Sequence, residues 1–373
     1  MFSTSSTQWA QTVFSKLVEK MPEVTKRSKN KIPYTTENGV FNDLSKDGFA
    51  WWTNGFWGGM MWQMYNATRD EKYKKAAEIA EKKLDNNLTV FWAFDHDNGF
   101  KWLPTAVADF KLTNNPDSFN RARIAADNLA GRFNPAGRFI RAWNDDGDGS
   151  NAGIAIIDCM MNLPLLYWAY EVTKDPRFYQ IATSHADTAM KYFIREDGSS
   201  NHIVEFDPHT GKYIKARGGQ GMDEKSSWTR GQAWALYGFT LSYIHTKNHK
   251  YLSTARKIAK YFISCIPESG HIPVDFMQSA DLDWEDSTAA AIAASALLEL
   301  FKITSTGSYE KAALKLLKTL DKDRISWDKD RDELLEFCSQ AYHDEYHNFT
   351  IIYGDYFFIE AVLKLLNKDL FIW

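Results

Sequence analysis

Cysteine is scarce in this 373-residue chain, and long apolar runs and basic clusters are missing. Cys159, Cys265 and Cys338 stand far apart with no CxxC pair, which excludes a disulfide framework or a zinc knuckle and leaves packing thiols. No run of about 18 apolar residues occurs, and Met1 to Ser6 lack the basic and apolar segments of a signal peptide. A soluble, cytoplasmic protein is expected, or a periplasmic one that has lost its signal peptide, with no membrane partner. The formal net charge is −4 without a Lys/Arg cluster, so no nucleic-acid partner is expected, while an anionic small substrate stays open. The dinucleotide, P-loop, zincin and serine-hydrolase signatures are absent as well. His343 and His347 are spaced for a metal on a helix, but their Tyr-, Asp- and Glu-rich surroundings read as loop, so no metal is assigned.

Aromatic residues, by contrast, make up 15% of the chain and include 14 tryptophans. Flat rings beyond the needs of an aliphatic core favour a ligand with flat apolar faces, as sugars have. With 44% hydrophobic residues and no Pro- or Ser-rich linker, one domain spanning 1–373 is expected.

Helical spacing of apolar residues recurs in twelve segments, at about 7–20, 55–68, 71–88, 99–112, 117–134, 153–173, 176–194, 228–246, 249–265, 287–304, 308–322 and 353–367. Five linkers share one type: Thr68 to Tyr73, Thr113 to Phe119, Thr173 to Phe178, Thr246 to Tyr251 and Thr304 to Tyr309. Each is a polar turn followed by an aromatic on the next helix, so the repeat is a helical hairpin. The long Gly- and Asp-rich insertions, such as 144–149 and 196–226, fall between hairpins and include strand-like runs at 202–206 and 211–214. Pairing the first helix with the last closes six hairpins into an all-α (α/α)6 barrel; an open solenoid is the alternative. The first helix of each pair follows an insertion, so the inner-helix N-termini and the insertions share one rim, which favours an anionic ligand.

Asp158 is a single acid in the apolar run Ile154 to Leu166, where burial would raise its pKa and suit it to proton donation. The alternative is a polar residue satisfying the backbone or pairing with an arginine. Asp97, where the second inner helix begins, is either an N-cap or a second carboxyl in the same pocket. Arg230, on the first turn of another inner helix, offers a planar fork to a substrate carboxylate or else a salt bridge to Asp97 or Asp223. Trp143, Trp234 and the Trp51/Trp52 pair are candidate stacking platforms. His202 and Gln220, on the longest insertion, are candidate donors to hydroxyls or a carboxylate.

These strings resemble the unsaturated glucuronyl hydrolases of glycoside hydrolase family 88. The matching pieces are Trp52 to Trp57, His96 to Phe100, Ile156 to Leu166, Ser227 to Trp234, Asp286-Ser287 and Tyr353 to Ala361, in order along most of the chain. The resemblance implies an (α/α)6 barrel that removes the 4,5-unsaturated uronic acid left by polysaccharide lyases at the non-reducing end of glycosaminoglycan-type fragments. It implies Asp158 as principal acid/base, Asp97 as assisting acid, and substrate contacts at Trp52, Trp143, His202, Gln220, Arg230 and Trp234. The implied reaction is hydration of the C4=C5 enol ether, without metal or cofactor. A covalent or epoxide intermediate on a carboxylate is the other route. Family members that favour sulphated substrates carry Ser and Lys near the C-terminal substrate loop. Here Tyr342 to Thr350 holds Asp344 and Glu345 and no Lys. Unsaturated rhamnogalacturonyl hydrolases and histidine-based epimerases share the architecture, and a non-catalytic glycan-binding ring is the rival from another class.

Overall fold

The computed structural model describes residues 1–145 and 147–373; Asp146, in the 144–149 insertion, lies outside the described residues. In chain order the helices are α1 (Thr4–Ser28), α2 (Phe56–Thr68), α3 (Glu71–Lys83), α4 (Asn98–Trp102), α5 (Ala108–Thr113), α6 (Pro116–Gly131) and α7 (Leu163–Thr173). The second half adds α8 (Pro176–Tyr192), α9 (Thr229–Thr246), α10 (His249–Cys265), α11 (Ser287–Thr304), α12 (Gly307–Asp323) and α13 (Ile352–Leu365). A π-helical turn, Leu103–Val107, joins α4 to α5 where Pro104 interrupts the regular ladder. The inner ring is α2, α4–α5, α7, α9, α11 and α13, and the outer ring is α1, α3, α6, α8, α10 and α12. Because α13 packs against α1, α2 and α11, the ring closes and the solenoid alternative falls.

Burial separates the two rings. Residues 287–301 of α11 and all of α13 are buried, so these helices are packed on every side. In α10 and α12 only one stripe, such as Tyr251, Ala255, Ile258 and Phe262, is buried. By length and hydropathy α11 could span a bilayer, but it is the core helix of the ring, 83% buried.

The five repeated linkers are one structure. Thr68, Thr113, Thr173, Thr246 and Thr304 each turn Oγ1 back to the carbonyl four residues earlier. Arg69, Asn114, Lys174, Lys247 and Ser305 follow in the left-handed region, with φ between 56° and 60°. The next residue donates its N–H to the threonine. In four linkers that residue, Asp70, Asn115, Asp175 or Asn248, caps the outer helix with its side chain. The turn is therefore rigid, and all variation falls on the opposite rim.

That rim carries the strands β1 (Thr36–Glu37), β2 (Val40–Phe41), β3 (Phe133–Asn134), β4 (Phe139–Ile140), β5 (Ile154–Ile156), β6 (Ile203–Phe206) and β7 (Tyr213–Arg217). The last three form an antiparallel sheet in the order β5-β6-β7. The helix expected from residue 153 starts only at Leu163: β5 comes first, then the 3-10 turn Ile157–Met161. The β-branched Ile154 and Ile156 favour the extended start.

Candidate active site

A cavity of about 420 Å³ opens at the insertion rim, lined among others by Trp52, His96, Asp97, Trp143, Asp158, His202, Gln220 and Arg230. Eight of the nine residues singled out from the sequence, Trp51 among them, thus meet in one place, together with His96. Trp234 is the exception: it is fully buried beneath the cavity, its ring 4.9 Å from Phe100 and 5.4 Å from Phe357. It sits one helical turn below Arg230, too deep in the ring to stack on a ligand, so its reading as a platform is corrected to core packing. Trp52 does reach the cavity, held against Tyr353 at 5.0 Å, and Trp143 is 40% exposed.

The β5/β6 register places Ile156 opposite Ile203, and Ile157 N–H donates to His202 O at 3.0 Å, so the sheet carries Asp158 and His202 to the same wall. Their nearest atoms, Oδ1 and Nε2, are 3.9 Å apart. Asp158 Oδ1 is buried with no hydrogen-bond partner among the described residues. Burial, then the charge of Asp97, pushes the Asp158 carboxyl up from 3.8 to about 7, against the cations of His96 and Arg230. Near neutral pH a large share of Asp158 therefore carries a proton.

Asp97 makes no capping bond to the helix it precedes, so the capping alternative falls. Its Oδ2 lies 3.3 Å from His96 Nε2, and its Oδ1 accepts a bond from Asn162 Nδ2 at 3.2 Å. His202 is pushed down to about 3 by burial and the nearby Arg230 charge, so its ring is neutral. Its Nδ1 accepts the Gln220 N–H at 2.9 Å, which leaves the proton on Nε2, facing Asp158. Gly219 is required there: at φ +59°, a Cβ would fall 2.1 Å from His202 Nδ1.

Arg230 is 1% exposed and already engaged. Its Nη1 donates to Asp286 Oδ2 at 2.6 Å and to Ser339 O, and its Nη2 to Gln340 O at 2.5 Å. The salt-bridge partners expected from the sequence, Asp97 and Asp223, are replaced by Asp286 at the start of α11. Arg230 thus brings a positive charge to the cavity wall and holds the 339–340 loop. His343 and His347 diverge, the first toward Met222 O and the second stacked on Trp284 at 4.0 Å. Sequence reasoning missed His96, Asn162 and Asp286 as site-builders. All three lie in the strings that carry the family resemblance, which gave them no role of their own.

A closed α/α ring with two carboxyls in an aromatic-lined pocket defines a carbohydrate-processing enzyme. The chain belongs to glycosyl hydrolase family 88, whose model matches residues 20–359. It is 36% identical over 328 residues to the unsaturated glucuronyl hydrolase of Bacillus sp. (strain GL1), covering 84% of this chain and 86% of that one. The crystal structure of the Bacillus sp. GL1 enzyme, described as responsible for the degradation of glycosaminoglycan, matches with a TM-score of 0.87 over 94% of this chain and 96% of that one. The unsaturated chondroitin disaccharide hydrolase of Streptococcus pyogenes serotype M1 is 32% identical, covering 84% of this chain and 80% of that one. A mutant unsaturated glucuronyl hydrolase from Streptococcus agalactiae, complexed with dGlcA-GalNAc6S, matches at 26% identity and a TM-score of 0.81, over 96% of this chain and 93% of that one.

Proposed function

We propose that this protein releases the 4,5-unsaturated uronic acid from the non-reducing end of lyase-generated glycosaminoglycan-type oligosaccharides by hydrating its C4=C5 enol ether. The observation that carries this reading is Asp158, a largely buried acid with its carboxyl raised to about 7 and a buried, unpartnered oxygen at the cavity wall. Asp158 donates its proton to C4, and the positive charge left at C5 is shared with the ring oxygen, where the Asp97 charge stabilises it. The resulting Asp158 carboxylate takes a proton from water as that oxygen bonds to C5. The C5–ring-oxygen bond of the hemiketal then breaks to a ketone. The C1 hemiacetal so formed collapses to an aldehyde and releases the neighbouring sugar. Trp52 and Trp143 stack on the sugar faces, His202 Nε2–H and Gln220 hydrogen-bond the sugar, and the Arg230 charge attracts the uronate carboxylate.

The next sugar lies toward a shallow depression that shares Gln340 with the cavity and is lined by Tyr34, Asp344, Glu345 and Tyr346. Two carboxylates there repel a sulphate, so unsulphated substrates are the favoured class. The test is loss of the ultraviolet absorbance of the conjugated double bond with unsaturated chondroitin and heparin disaccharides, sulphated and unsulphated, beside Asp158→Asn. Decay that needs Asp158 and runs fastest without sulphate is expected. Undiminished decay in Asp158→Asn removes it as the acid, and turnover of rhamnogalacturonan fragments alone transfers the reading to that substrate.

A further inference from the structure

Two carboxyls in one pocket compete for a proton, and the one that receives hydrogen bonds and a cation keeps the charge. Around Asp97 and Asp158 these supports are unequally divided. Asn162 Nδ2 donates to Asp97 Oδ1 at 3.2 Å and to the main-chain oxygen of Asp158 at 3.3 Å, while its Oδ1 accepts the Phe100 N–H at 2.8 Å. One fully buried side chain thus ties the turn that carries Asp158 to the helix start that carries Asp97. The interlock is tight: a Cβ on Gly99 would fall 2.5 Å from Asn162 Cα. On the other side, Asp97 Oδ2 meets Nε2 of His96, whose side chain is 2% exposed.

We propose that Asn162 and His96 are positioning residues for the hydration: they hold Asp97 as an acceptor on both oxygens, so that the proton of the pair stays on Asp158. This rests on the reading of Asp158 as proton donor. Burial opposes a charge on His96, but the Asp97 charge and hydrogen bond outweigh it and hold the imidazole well above its ordinary value. The other charged groups facing the pair are Asp95, whose Oδ1 accepts the Asp97 N–H, Arg132 just past the end of α6, and Arg230 from α9. Cys159, its thiol raised by burial, stays neutral beside His96, and His185 and His202 are neutral because burial pushes each down to about 3.

The experiment compares wild type, Asn162→Asp and His96→Gln in the full-length protein, with kcat and KM followed against pH on an unsulphated unsaturated chondroitin disaccharide, beside thermal melts. Asn162→Asp keeps the shape and the acceptor for Phe100 N–H but removes the Nδ2 donor to both Asp97 Oδ1 and the Asp158 main-chain oxygen. Loss of the structural tie alone lowers the melting temperature and spares kcat in the folded protein; the proposed role loses kcat by ~100-fold with little change in KM. His96→Gln removes a cation beside Asp158, so the alkaline limb of the pH profile moves to higher pH by about 1 unit. Near-wild-type kcat in Asn162→Asp, or an unmoved alkaline limb in His96→Gln, overturns the proposal. If Asn162→Asp does not fold, the His96→Gln profile decides alone. A wild type that turns over no unsaturated disaccharide overturns the underlying reading too, which separates the two failures.

Discussion

Replacing Asp158 by Asn should stabilise the folded protein on the alkaline side while abolishing turnover. The side chain is 14% exposed, opening only onto the cavity, and burial with the Asp97 charge pushes its carboxyl from 3.8 to about 7. A carboxyl raised in the folded state holds its proton more tightly there than in the unfolded chain, so ionising it costs stability. The cost is absent below the unfolded value, grows as the pH rises toward the folded value, and is complete above it. At ~1.4 kcal/mol per pKa unit the full cost is ~4 kcal/mol. With an unfolding entropy of ~2.1 cal/mol/K per residue over 373 residues, that is ~5 °C in Tm. The amide of Asp158→Asn is nearly isosteric with the carboxyl and unable to ionise, so the variant escapes the cost. Melts of both proteins at pH ~4.5, where about a quarter of the cost is already present, and at pH ~8.5 should show the Tm difference widening by about 4 °C in favour of Asp158→Asn at the higher pH. A difference that ignores pH, or a wild type that gains on the variant at high pH, refutes the assignment of a raised, buried carboxyl.

Asp97→Asn should shift the alkaline limb of its residual activity to lower pH, because the Asp97 charge raises Asp158 more than the accompanying His96 cation lowers it; a pH–rate profile reads the direction. Asp286→Ala strands the buried Arg230 charge and should cost about 3–5 kcal/mol, seen as a lower Tm; a rise in KM is expected with it as the 339–340 loop loses its anchor. Gly99→Ala forces a methyl against the Asn162 backbone and should cost about 1–3 kcal/mol, with kcat falling along with Tm in paired melts and assays.

The ring was legible because two independent patterns agreed. Inner helices such as α11 are largely apolar on every side, and the threonine linkers recur with the same local geometry, so the segments expected at 249–265 and 287–304 coincide with α10 and α11. The run from Ile154 was misread because a short apolar stretch does not separate strand from helix by periodicity, and only pairing with β6 decides it. Asp97 and Asp158 stood out as acids in unexpected surroundings. The partner of Arg230 did not, since Asp286 lies on another helix and is brought near only by ring closure. Trp234 shows the same limit: helical spacing assigns a face but not the depth at which the cavity ends. His202 and Gln220 rose above ordinary loop residues only through family resemblance, because their orientation depends on a glycine turn at Gly219.

The pairing of α1 with α13 sets the order in which this molecule can be completed during synthesis. The chain leaves the ribosome from α1 onward, yet α1 finds its inner partner only when Ile352–Leu365 has emerged. Until then five hairpins stand as an open arc, with the apolar edges of α2 and α11 uncovered across the missing seam. Closing contacts between the two ends of so long a chain is slow, and exposed apolar edges invite association in the meantime. Assembly of the catalytic rim is correspondingly late, since Tyr353, against which Trp52 rests, arrives with the last inner helix. Chaperone demand should therefore peak just before α13 emerges, and chains that stop short of α13 should accumulate as insoluble arcs.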